Sequence, residues 1–222
     1  MKIKAKKHFY LGVLFLTAFI IWTFLLRLID VRAIGPNDSV VGFATINRFV
    51  HDLTGTNMKL YAITDWLGLV PFATAFVFTA LGMWQWLKRR KISKVDYSLL
   101  VLGGFYIAVI TAYLLFENVV VNYRPILIDG VLEVSYPSST TMLVLTVMPT
   151  AIMQLKERIK NNVYKKIIVA IMLVFILFMV IGRFVSGVHW FTDIIGGVLL
   201  SAGFVNGYRF VCNKDNLNRQ SI

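Results

Sequence analysis

The chain has 222 residues, 58% of them hydrophobic, and a mean hydropathy of +0.72. This composition is too apolar for a soluble domain and the chain is too long for a single anchoring helix, so we predict an integral membrane protein. The net charge of +12 raises the alternative of a nucleic-acid-binding protein, because basic proteins bind phosphate backbones. With a single cysteine, Cys212, the sequence excludes a disulfide framework and a thiolate metal site.

Six uncharged apolar runs follow one another along the chain. A helix needs roughly 20 apolar residues to cross a bilayer, and two of these runs, the fourth and the sixth, are short. Pro149 also interrupts the fourth run, and the first run lacks the small-residue cleavage site of a signal peptide. We therefore predict an all-α polytopic membrane protein with about six transmembrane helices in a single domain, residues 1–222. The runs are Phe9–Leu26, Leu67–Leu87, Tyr97–Phe116, Thr140–Leu155, Ile167–Gly182 and Ile194–Tyr208.

The basic residues are concentrated in every second segment between these runs. If the N-terminus is cytoplasmic, the cytoplasmic segments hold 17 of the 23 basic residues, and the outer segments hold eight of the eleven acidic ones. This asymmetry follows the positive-inside rule, so topology explains the charge and we expect no nucleic-acid partner. Both termini are predicted to be cytoplasmic, and a bacterial cell membrane fits the small size and simple topology. The cytoplasmic basic groups are Lys2, Lys4, Lys6 and Lys7, then Lys88–Lys94, Lys156–Lys166 and Arg209–Arg219.

A long outer segment, residues 30–66, separates the first two runs. It opens with Gly35-Pro36 and continues with Asn37-Asp38-Ser39, residue types that favour helix N-termini. We predict an amphipathic helix that lies in the membrane interface or packs over the mouth of the bundle. A structural lid and a substrate-selecting role both stay open. The apolar residues at helical spacing are Ile46, Phe49, Val50 and Leu53.

The other two outer loops lie within residues 117–193, and they carry arginine, histidine, aspartate, serine and threonine residues. The fourth and sixth helices run inward, so their N-termini face outward, where unpaired backbone N–H groups and the positive dipole end favour anions. Ser138 or Ser139 would cap the fourth helix. Arg124 and Arg183 add two planar guanidinium groups suited to bidentate phosphate binding. Together with Thr140, these residues predict a phosphate site.

His189 and Asp193 lie four residues apart, so they share a face if the sixth helix begins near the histidine. A carboxylate in that position can hold one imidazole nitrogen protonated and leave the other free to attack phosphorus or abstract a proton. An ionised group near an apolar helix is costly unless it is paired, which makes Asp193 a functional candidate.

In order and spacing, these residues resemble the type 2 phosphatidic acid phosphatase superfamily of membrane lipid phosphatases. The three motifs of that family are Lys-x6-Arg-Pro, Pro-Ser-Gly-His and Ser-Arg-x5-His-x3-Asp. The resemblance covers these motifs and, through the six-helix layout, most of the chain. It implies that His189 is the nucleophile that forms a phosphohistidine and that Asp193 is its partner. It also implies that Arg124 and Arg183 bind phosphate and that Ser138 is the second-motif serine.

The chain departs from the family pattern at three places. Glu117 stands where the first motif has Lys, Ser139-Thr140 where the second has Gly-His, and Gly182 where the third has Ser. The missing histidine protonates the leaving group in the family, and the only histidines besides His189 are His8 and His51.

General acid catalysis is typically worth about 10²- to 10⁴-fold, so its loss need not abolish turnover. A departing alkoxide, whose conjugate acid is nearly as weak an acid as water, depends strongly on protonation. A departing phosphate, with a second pKa of about 6, needs it much less, which favours a diphosphate substrate. Glu117 would repel phosphate unless paired, or would serve as a substitute acid if burial raised its pKa.

The sequence thus predicts a lipid phosphatase that acts at the extracytoplasmic face without a metal or other cofactor. Its substrate would be a membrane lipid phosphate or diphosphate of the phosphatidate, phosphatidylglycerophosphate or polyprenyl diphosphate type. The alternative is a catalytically silent relative that binds a phospholipid head group or a membrane partner. No paired broken helices or inverted repeat support a transporter. The sequence does not indicate the oligomeric state.

Overall fold

A computed structural model describes residues 2–220, with side chains described for residues 6–214. The side chains of Lys2, Lys4 and Arg219, which belong to the predicted cytoplasmic groups, and the extreme ends of the predicted domain lie outside this description. The elements in chain order are α1 (Lys2–Leu25), β1 (Arg32–Ala33), β2 (Val40–Val41), α2 (Ala44–Thr54), α3 (Met58–Leu67), α4 (Leu69–Arg89), α5 (Tyr97–Asn118), α6 (Ser139–Arg158), α7 (Asn162–Val185) and α8 (Phe191–Gln220).

Helices α1 and α8 pack side by side over their lengths and define two ends of the molecule. At one end, Trp22 Nε1 donates to the carbonyl of Thr192, at 3.2 Å. At the other end, His8 Nδ1 lies 2.8 Å from Asn206 Oδ1. We call the end that carries Thr192 the site end and the other the opposite end.

Asp96, which precedes α5, joins three helices at the opposite end. Its carboxylate accepts a hydrogen bond from Gln85 of α4 at 2.9 Å and one from Arg158 of α6 at 3.3 Å. Because α5 begins there and α6 ends there, the two helices are antiparallel. In the described chain, α1, α4, α5, α6, α7 and α8 therefore each run between the two ends, as the six apolar runs predict.

Five described segments are long and apolar enough to cross a membrane: Lys6–Leu25, Met58–Arg89, Tyr97–Asn118, Asn162–Val185 and Phe191–Lys214. The 20-residue helix α6 is more polar, but it packs against α4, α5, α7 and α8. An enclosed helix has little contact with lipid, so it tolerates buried polar residues such as Thr146, Thr150 and Gln154. Pro149 lies inside α6 without ending it. The all-α membrane fold is confirmed.

The second predicted run is longer in the structure, because α3 precedes α4 and continues almost directly into it. The break falls at Gly68, four residues after Thr64 and three before Pro71. A proline ring clashes with the carbonyl four residues earlier, here that of Leu67, which accounts for the break. The segment that the sequence assigned to an outer loop thus contributes a helix, α3, to the site end.

The outer segment folds differently from the prediction at its start. Asn37 and Asp38 lie in a short 3₁₀ turn, Pro36–Asp38, and do not cap a helix. Helix α2 begins at Ala44, and the carboxylate of Asp30 accepts a hydrogen bond from the amide of Thr45 at 2.6 Å. The N-terminal amide is therefore satisfied by a residue beyond the end of α1.

The amphipathic character of α2 is confirmed, but its polar side faces the protein. Asn47 is fully buried and bonds through Nδ2 to the carbonyl of Gly42 and to Thr192 Oγ1, at 2.8 and 2.9 Å. Phe49 and Leu53 are 62% and 71% exposed. The polar side of α2 therefore packs over the end of the bundle, while its apolar stripe points away from the bundle, as expected for a helix in the membrane interface.

Candidate active site

The loop between α5 and α6 folds back on itself as a short hairpin. The amide of Arg124 donates to the carbonyl of Glu133, and the amide of Ser135 to that of Asn122, both at 3.0 Å. The turn at Asp129–Gly130 has positive φ at both residues, +48° and +79°, which aspartate and glycine tolerate. The hairpin places the arginine and Ser135 beside each other at the site end.

The loop between α7 and α8 is held against the end of α2. Gly187 has φ of +67°, and a Cβ there would stand 1.9 Å from the carbonyl oxygen of Gly55, so only glycine fits. The amide of Asn57 donates to the carbonyl of Ser186 at 2.9 Å, and His51 Nε2 lies 3.2 Å from the carbonyl of Gly187. These contacts fix the backbone that leads into His189.

His189 faces the hairpin. Its Nδ1 lies 3.1 Å from the carbonyl oxygen of Ser135, and because a carbonyl only accepts, Nδ1 carries the proton. Its Nε2, left as an acceptor, lies 3.5 Å from Arg124 Nη1. Asp193 Oδ2 stands farther from Nδ1, at 3.9 Å. The backbone carbonyl, rather than the predicted carboxylate, therefore sets the tautomer.

The side chain of His189 is 2% exposed, and its charge state follows from that burial. Burial, followed by the positive charges of Arg124 and Arg183, lowers the pKa of His189 well below its usual value of 6.5. The imidazole is therefore neutral at pH 7, with its Nε2 lone pair available for a bond to an electrophile.

Asp193 is fully buried at the start of α8. Its Oδ1 accepts from Asn122 Nδ2 at 3.1 Å, and its Oδ2 accepts from the amide of Trp190 at 3.0 Å. The second bond has the form of a capping box, in which a side chain in the first turn binds the N-cap amide. Asp193 thus fixes the backbone next to His189 and places a negative charge near its ring.

The two arginines flank one aromatic ring. The guanidinium carbons of Arg124 and Arg183 lie 5.8 and 4.8 Å from the ring centroid of Tyr61, which comes from α3. Each arginine also contacts a carboxylate: Arg183 Nη2 lies 3.1 Å from Asp65, and Arg124 Nε lies 2.9 Å from Glu133. The ring and the carboxylates hold the two guanidinium groups in place, with Arg183 only 2% exposed.

A cavity of about 600 Å³ opens between these groups, with both arginines in its wall. A smaller cavity of about 20 Å³ adjoins His189 and Arg124. Ser139 and Glu117 line both cavities, and Thr140 lines the larger one. Five of the predicted site residues therefore line the larger cavity, and His189 lines the smaller one, whose wall shares Glu117, Arg124 and Ser139 with it.

Ser138, by contrast, is turned away from this space. It is fully buried, and its Oγ lies 3.0 Å from Thr141 Oγ1. Its amide donates to the carbonyl of Asp193 at 3.0 Å, so it is not free to bind phosphate. The structure thus joins Ser138 to the framework of α6 and α8, contrary to its predicted place in the phosphate site.

An apolar crevice adjoins the larger cavity. It lies between α4, α5 and α6, and it shares Phe72 and Leu143 with the cavity wall. Its remaining lining is apolar apart from the hydroxyl of Tyr106. The cavity is thus continuous with a surface suited to a hydrocarbon chain.

The sequence missed the residues that hold the predicted groups. Tyr61 and Asp65 lie on α3, which was assigned to a loop, and Ser135 contributes only a backbone carbonyl. The spacing of Tyr61 and Asp65 is one signal that was available: residues four apart share a face if the segment is helical. The glycine that replaces the family serine, Gly182, also has a reason, since a Cβ there would lie 2.7 Å from Thr64 Cγ2 of α3.

Residues 118–215 match the sequence model of the PAP2 superfamily, a range that includes both arginines, His189 and Asp193. This segment, somewhat under half of the chain, is similar to the PAP2 superfamily. The fold of the chain is similar to a crystal structure described as the first transmembrane PAP2 type phosphatidylglycerolphosphate phosphatase from Bacillus subtilis, with a TM-score of 0.54. The alignment covers 92% of this chain and 97% of that chain at 20% identity, which shows a shared fold. No curated protein matches the chain.

The described residues contain no group of three or more His, Cys, Asp or Glu side chains arranged to hold a metal ion. The polar groups that face the cavity are guanidinium, carboxylate and hydroxyl groups and the N-terminal turn of α6. The arrangement is suited to binding an anion next to a neutral imidazole.

Proposed function

We propose that this protein is a membrane lipid phosphatase that hydrolyses a lipid phosphate or diphosphate at the extracytoplasmic face through a phosphohistidine intermediate. One observation carries the proposal: a buried neutral imidazole presents its Nε2 to Arg124, and this arginine lines both the small cavity at His189 and the larger cavity that also contacts Arg183. A nucleophile and a phosphate-binding pair are thus held together.

In the first step, His189 Nε2 attacks phosphorus, and the bond from phosphorus to the leaving oxygen breaks with its electron pair on oxygen. The proton stays on Nδ1, which donates it in a hydrogen bond to the carbonyl of Ser135. The ring gains positive charge as the nitrogen–phosphorus bond forms, and the carboxylate of Asp193, 3.9 Å away, stabilises that charge.

In the second step, water attacks the phosphohistidine. The nitrogen–phosphorus bond breaks, its electrons return to Nε2, and inorganic phosphate leaves. Arg124 and Arg183 bind the phosphoryl oxygens in both steps and stabilise the charge of the transition state.

The leaving oxygen must be protonated without the histidine of the family motif. Thr140 lines the cavity where the family has histidine, and its hydroxyl is a poor acid. Glu117 also lines the cavity, but it is exposed, so the burial that would make it a substitute acid is absent. A substrate that leaves as a phosphate needs little protonation, which supports a diphosphate.

A lipid substrate fits the surroundings of the site. The cavity shares Phe72 and Leu143 with the apolar crevice, which α4 and α5, two helices with membrane-spanning segments, border together with α6. A hydrocarbon tail in that crevice would keep its phosphate beside the arginines while the rest of the chain stayed in the bilayer.

The test is His189→Ala, with His8→Ala at the opposite end as the matched control. Purified proteins are assayed for phosphate release from phosphatidate, phosphatidylglycerophosphate and undecaprenyl diphosphate. We expect His189→Ala to lower the rate by at least about 10³-fold, since a nucleophile is lost, and His8→Ala to keep it. Equal rates for His189→Ala and the unaltered protein would exclude the phosphohistidine mechanism.

A catalytically silent, lipid-binding relative is the second candidate. The observation in its favour is that Asp65 and Glu133 pair with the arginines while Thr140 replaces the acid. Background phosphate release with all three lipids, together with measurable lipid binding, would support it.

A further inference from the structure

Helix α2 makes hydrogen bonds to the chain on both sides of His189. Before the histidine, His51 Nε2 donates to the carbonyl of Gly187 at 3.2 Å. After it, Asn47 holds Thr192 by two groups: its Oδ1 accepts from the backbone amide at 3.2 Å, and its Nδ2 donates to Oγ1 at 2.9 Å. The backbone that carries the imidazole is therefore bound to α2 both before and after it.

Asn47 is also bound to a fixed part of the chain at the end of α1. It is fully buried, and its Nδ2 donates a second hydrogen bond to the carbonyl of Gly42 at 2.8 Å. Gly42 is packed tightly, since a Cβ there would overlap the carbonyl oxygen of Leu26. The amide of Phe43 donates to the carbonyl of Ile29 at 2.9 Å. Asn47 thus connects a segment held against α1 to the beginning of α8.

The bond to Thr192 lies in the first turn of α8, directly before Asp193. The first amides of a helix have no partner within it, and the amide of Thr192 finds its acceptor in Asn47. Asp193 in turn accepts from the amide of Trp190 at 3.0 Å and lies 3.9 Å from His189 Nδ1. A shift of this turn would therefore move both the carboxylate and the backbone next to the imidazole.

Neither Asn47 nor His51 lines the two cavities at the site. An effect of α2 on the reaction must therefore pass through the residues that it holds. Trp22 of α1 also donates to the carbonyl of Thr192, at 3.2 Å, so the packing of α8 on α1 does not depend on Asn47 alone. Loss of the Asn47 bonds should thus displace the first turn of α8 without unfolding the bundle.

We propose that Asn47 is a positioning residue: through Thr192 it sets the place of the first turn of α8, and so the place of Asp193 relative to the imidazole of His189. The kinetic consequence rests on the proposed phosphatase function. Attack by Nε2 depends on the place of the imidazole, whereas the two arginines that would bind the phosphate lie on the hairpin and on α7. Loss of the Asn47 bonds should therefore lower kcat more than it raises KM.

The test is Asn47→Leu, which keeps a similar volume and removes all three hydrogen bonds. Asn206→Leu is the matched control, because Asn206 joins α8 to α1 at the opposite end, where its Oδ1 lies 2.8 Å from His8 Nδ1. Phosphate release is measured with phosphatidate, phosphatidylglycerophosphate and undecaprenyl diphosphate. We expect Asn47→Leu to lower kcat at least about tenfold with KM changed less than about threefold, and Asn206→Leu to keep both.

Two variants of Thr192 separate positioning from a general loss of packing. Thr192→Ser keeps the hydroxyl that accepts from Asn47, and Thr192→Val keeps the branched shape but removes the hydroxyl. We expect Thr192→Val to lower kcat and Thr192→Ser to keep it within about threefold. Equal losses for these two variants, or equal losses for Asn47→Leu and Asn206→Leu, would overturn the inference.

The tautomer of His189 gives a readout that does not depend on activity. Nitrogen NMR of histidine-labelled protein distinguishes a fixed imidazole, with separate Nδ1 and Nε2 signals, from one that exchanges tautomers and averages them. The signals of the other two histidines are identified by their loss in His8→Gln and His51→Gln. We expect the fixed pattern in the unaltered protein and in Asn206→Leu, and the averaged pattern in Asn47→Leu.

This readout separates the inference from the function on which its kinetics rest. If none of the three lipids is hydrolysed, the phosphatase proposal fails and the NMR signals alone decide. An unchanged His189 pattern in Asn47→Leu would then overturn the positioning role, and an averaged pattern would support it. If Asn47→Leu does not fold, Thr192→Val, which removes only one hydrogen bond of Asn47, is measured in its place with the same two outcomes.

Discussion

The charge state of His189 makes a direct prediction about pH. Its neutral form is the nucleophile, and burial beside Arg124 and Arg183 lowers its pKa well below 6.5. The rate should therefore be constant above that lowered pKa and fall only as pH drops through it. We expect the acidic limb of kcat/KM to lie below pH 6.5.

The measurement is a pH profile of phosphate release for the unaltered protein and for His51→Gln. His51 contacts the loop before His189 through the carbonyl of Gly187, without touching the reacting groups. Its replacement should leave the limb where it is. A limb above pH 6.5 in the unaltered protein would mean that burial and the two arginines do not lower the pKa of His189.

Asn122 makes a second prediction, because its amide binds a fully buried carboxylate. Asn122→Ala would leave Asp193 Oδ1 without that donor, and hydrogen bonds to charged groups contribute about 1.5–3 kcal/mol. We expect a loss of about 2 kcal/mol in the free energy of unfolding, measured in detergent, and a loss of activity.

Asn118→Ala is the matched control for this change. Asn118 is exposed, and within the described part of the chain its amide bonds only to the carbonyl of Leu114, on its own helix. It should lose less than about 0.5 kcal/mol, as is usual for surface substitutions. Similar losses for both variants would show that Asp193 does not depend on the donor.

At the scale of the elements, Gly187 decides how the α7–α8 loop meets the end of α2. Gly187→Ala would place a Cβ 1.9 Å from the carbonyl oxygen of Gly55, a backbone atom that cannot rotate away. The loop would have to shift, and His189 with it. We expect at least about 10²-fold lower activity, since a displacement of 1 Å can cost that much.

Gly130→Ala is the matched control, because it tests the cost of a positive φ without a steric clash. Gly130 has a similar positive φ, +79°, but a Cβ there would meet nothing within 4 Å. It should cost only about 1 kcal/mol of stability and keep its activity. Both variants are compared by thermal unfolding and phosphate release, and equal activity would contradict the role of the close approach.

The helices were predictable to different degrees. Apolar runs located the lipid-facing helices well, as the predicted Tyr97–Phe116 against the observed α5 shows. They underestimated α6, whose enclosed position permits the polar residues that shorten its run. They missed α3. An apolar run does not show that the chain breaks at Gly68, before Pro71, and that a separate helix precedes this break.

The sequence predicted which side chains gather at the site, but it did not predict the groups that hold them in place. Arg124, Arg183 and His189 meet as expected, because their loops share one end of the bundle. The carbonyl of Ser135 could not be predicted, since every residue has a carbonyl and only the hairpin brings this one to the imidazole. The same holds for the carboxylate of Asp65, which depends on the position of α3.

For the whole molecule, the open point is which of its two ends faces the cytoplasm. The hairpin and the α7–α8 loop lie at the site end, and the basic segments around Lys91 and Lys160 lie at the opposite end. From the positive-inside rule we expect the opposite end to face the cytoplasm. An outward-facing site would receive lipid from the outer leaflet through the apolar crevice.

Cysteine labelling tests this orientation, because Cys212 is the only native cysteine. In a Cys212→Ser background, Val131→Cys places a thiol on the hairpin, at a position 60% exposed, and Ser93→Cys places one at the opposite end. A membrane-impermeant maleimide applied to intact cells should label Val131→Cys at once and Ser93→Cys only after permeabilisation. The reverse pattern would place the site on the cytoplasmic side. The substrate would then be a lipid of the inner leaflet, and the positive-inside rule would not explain the basic segments.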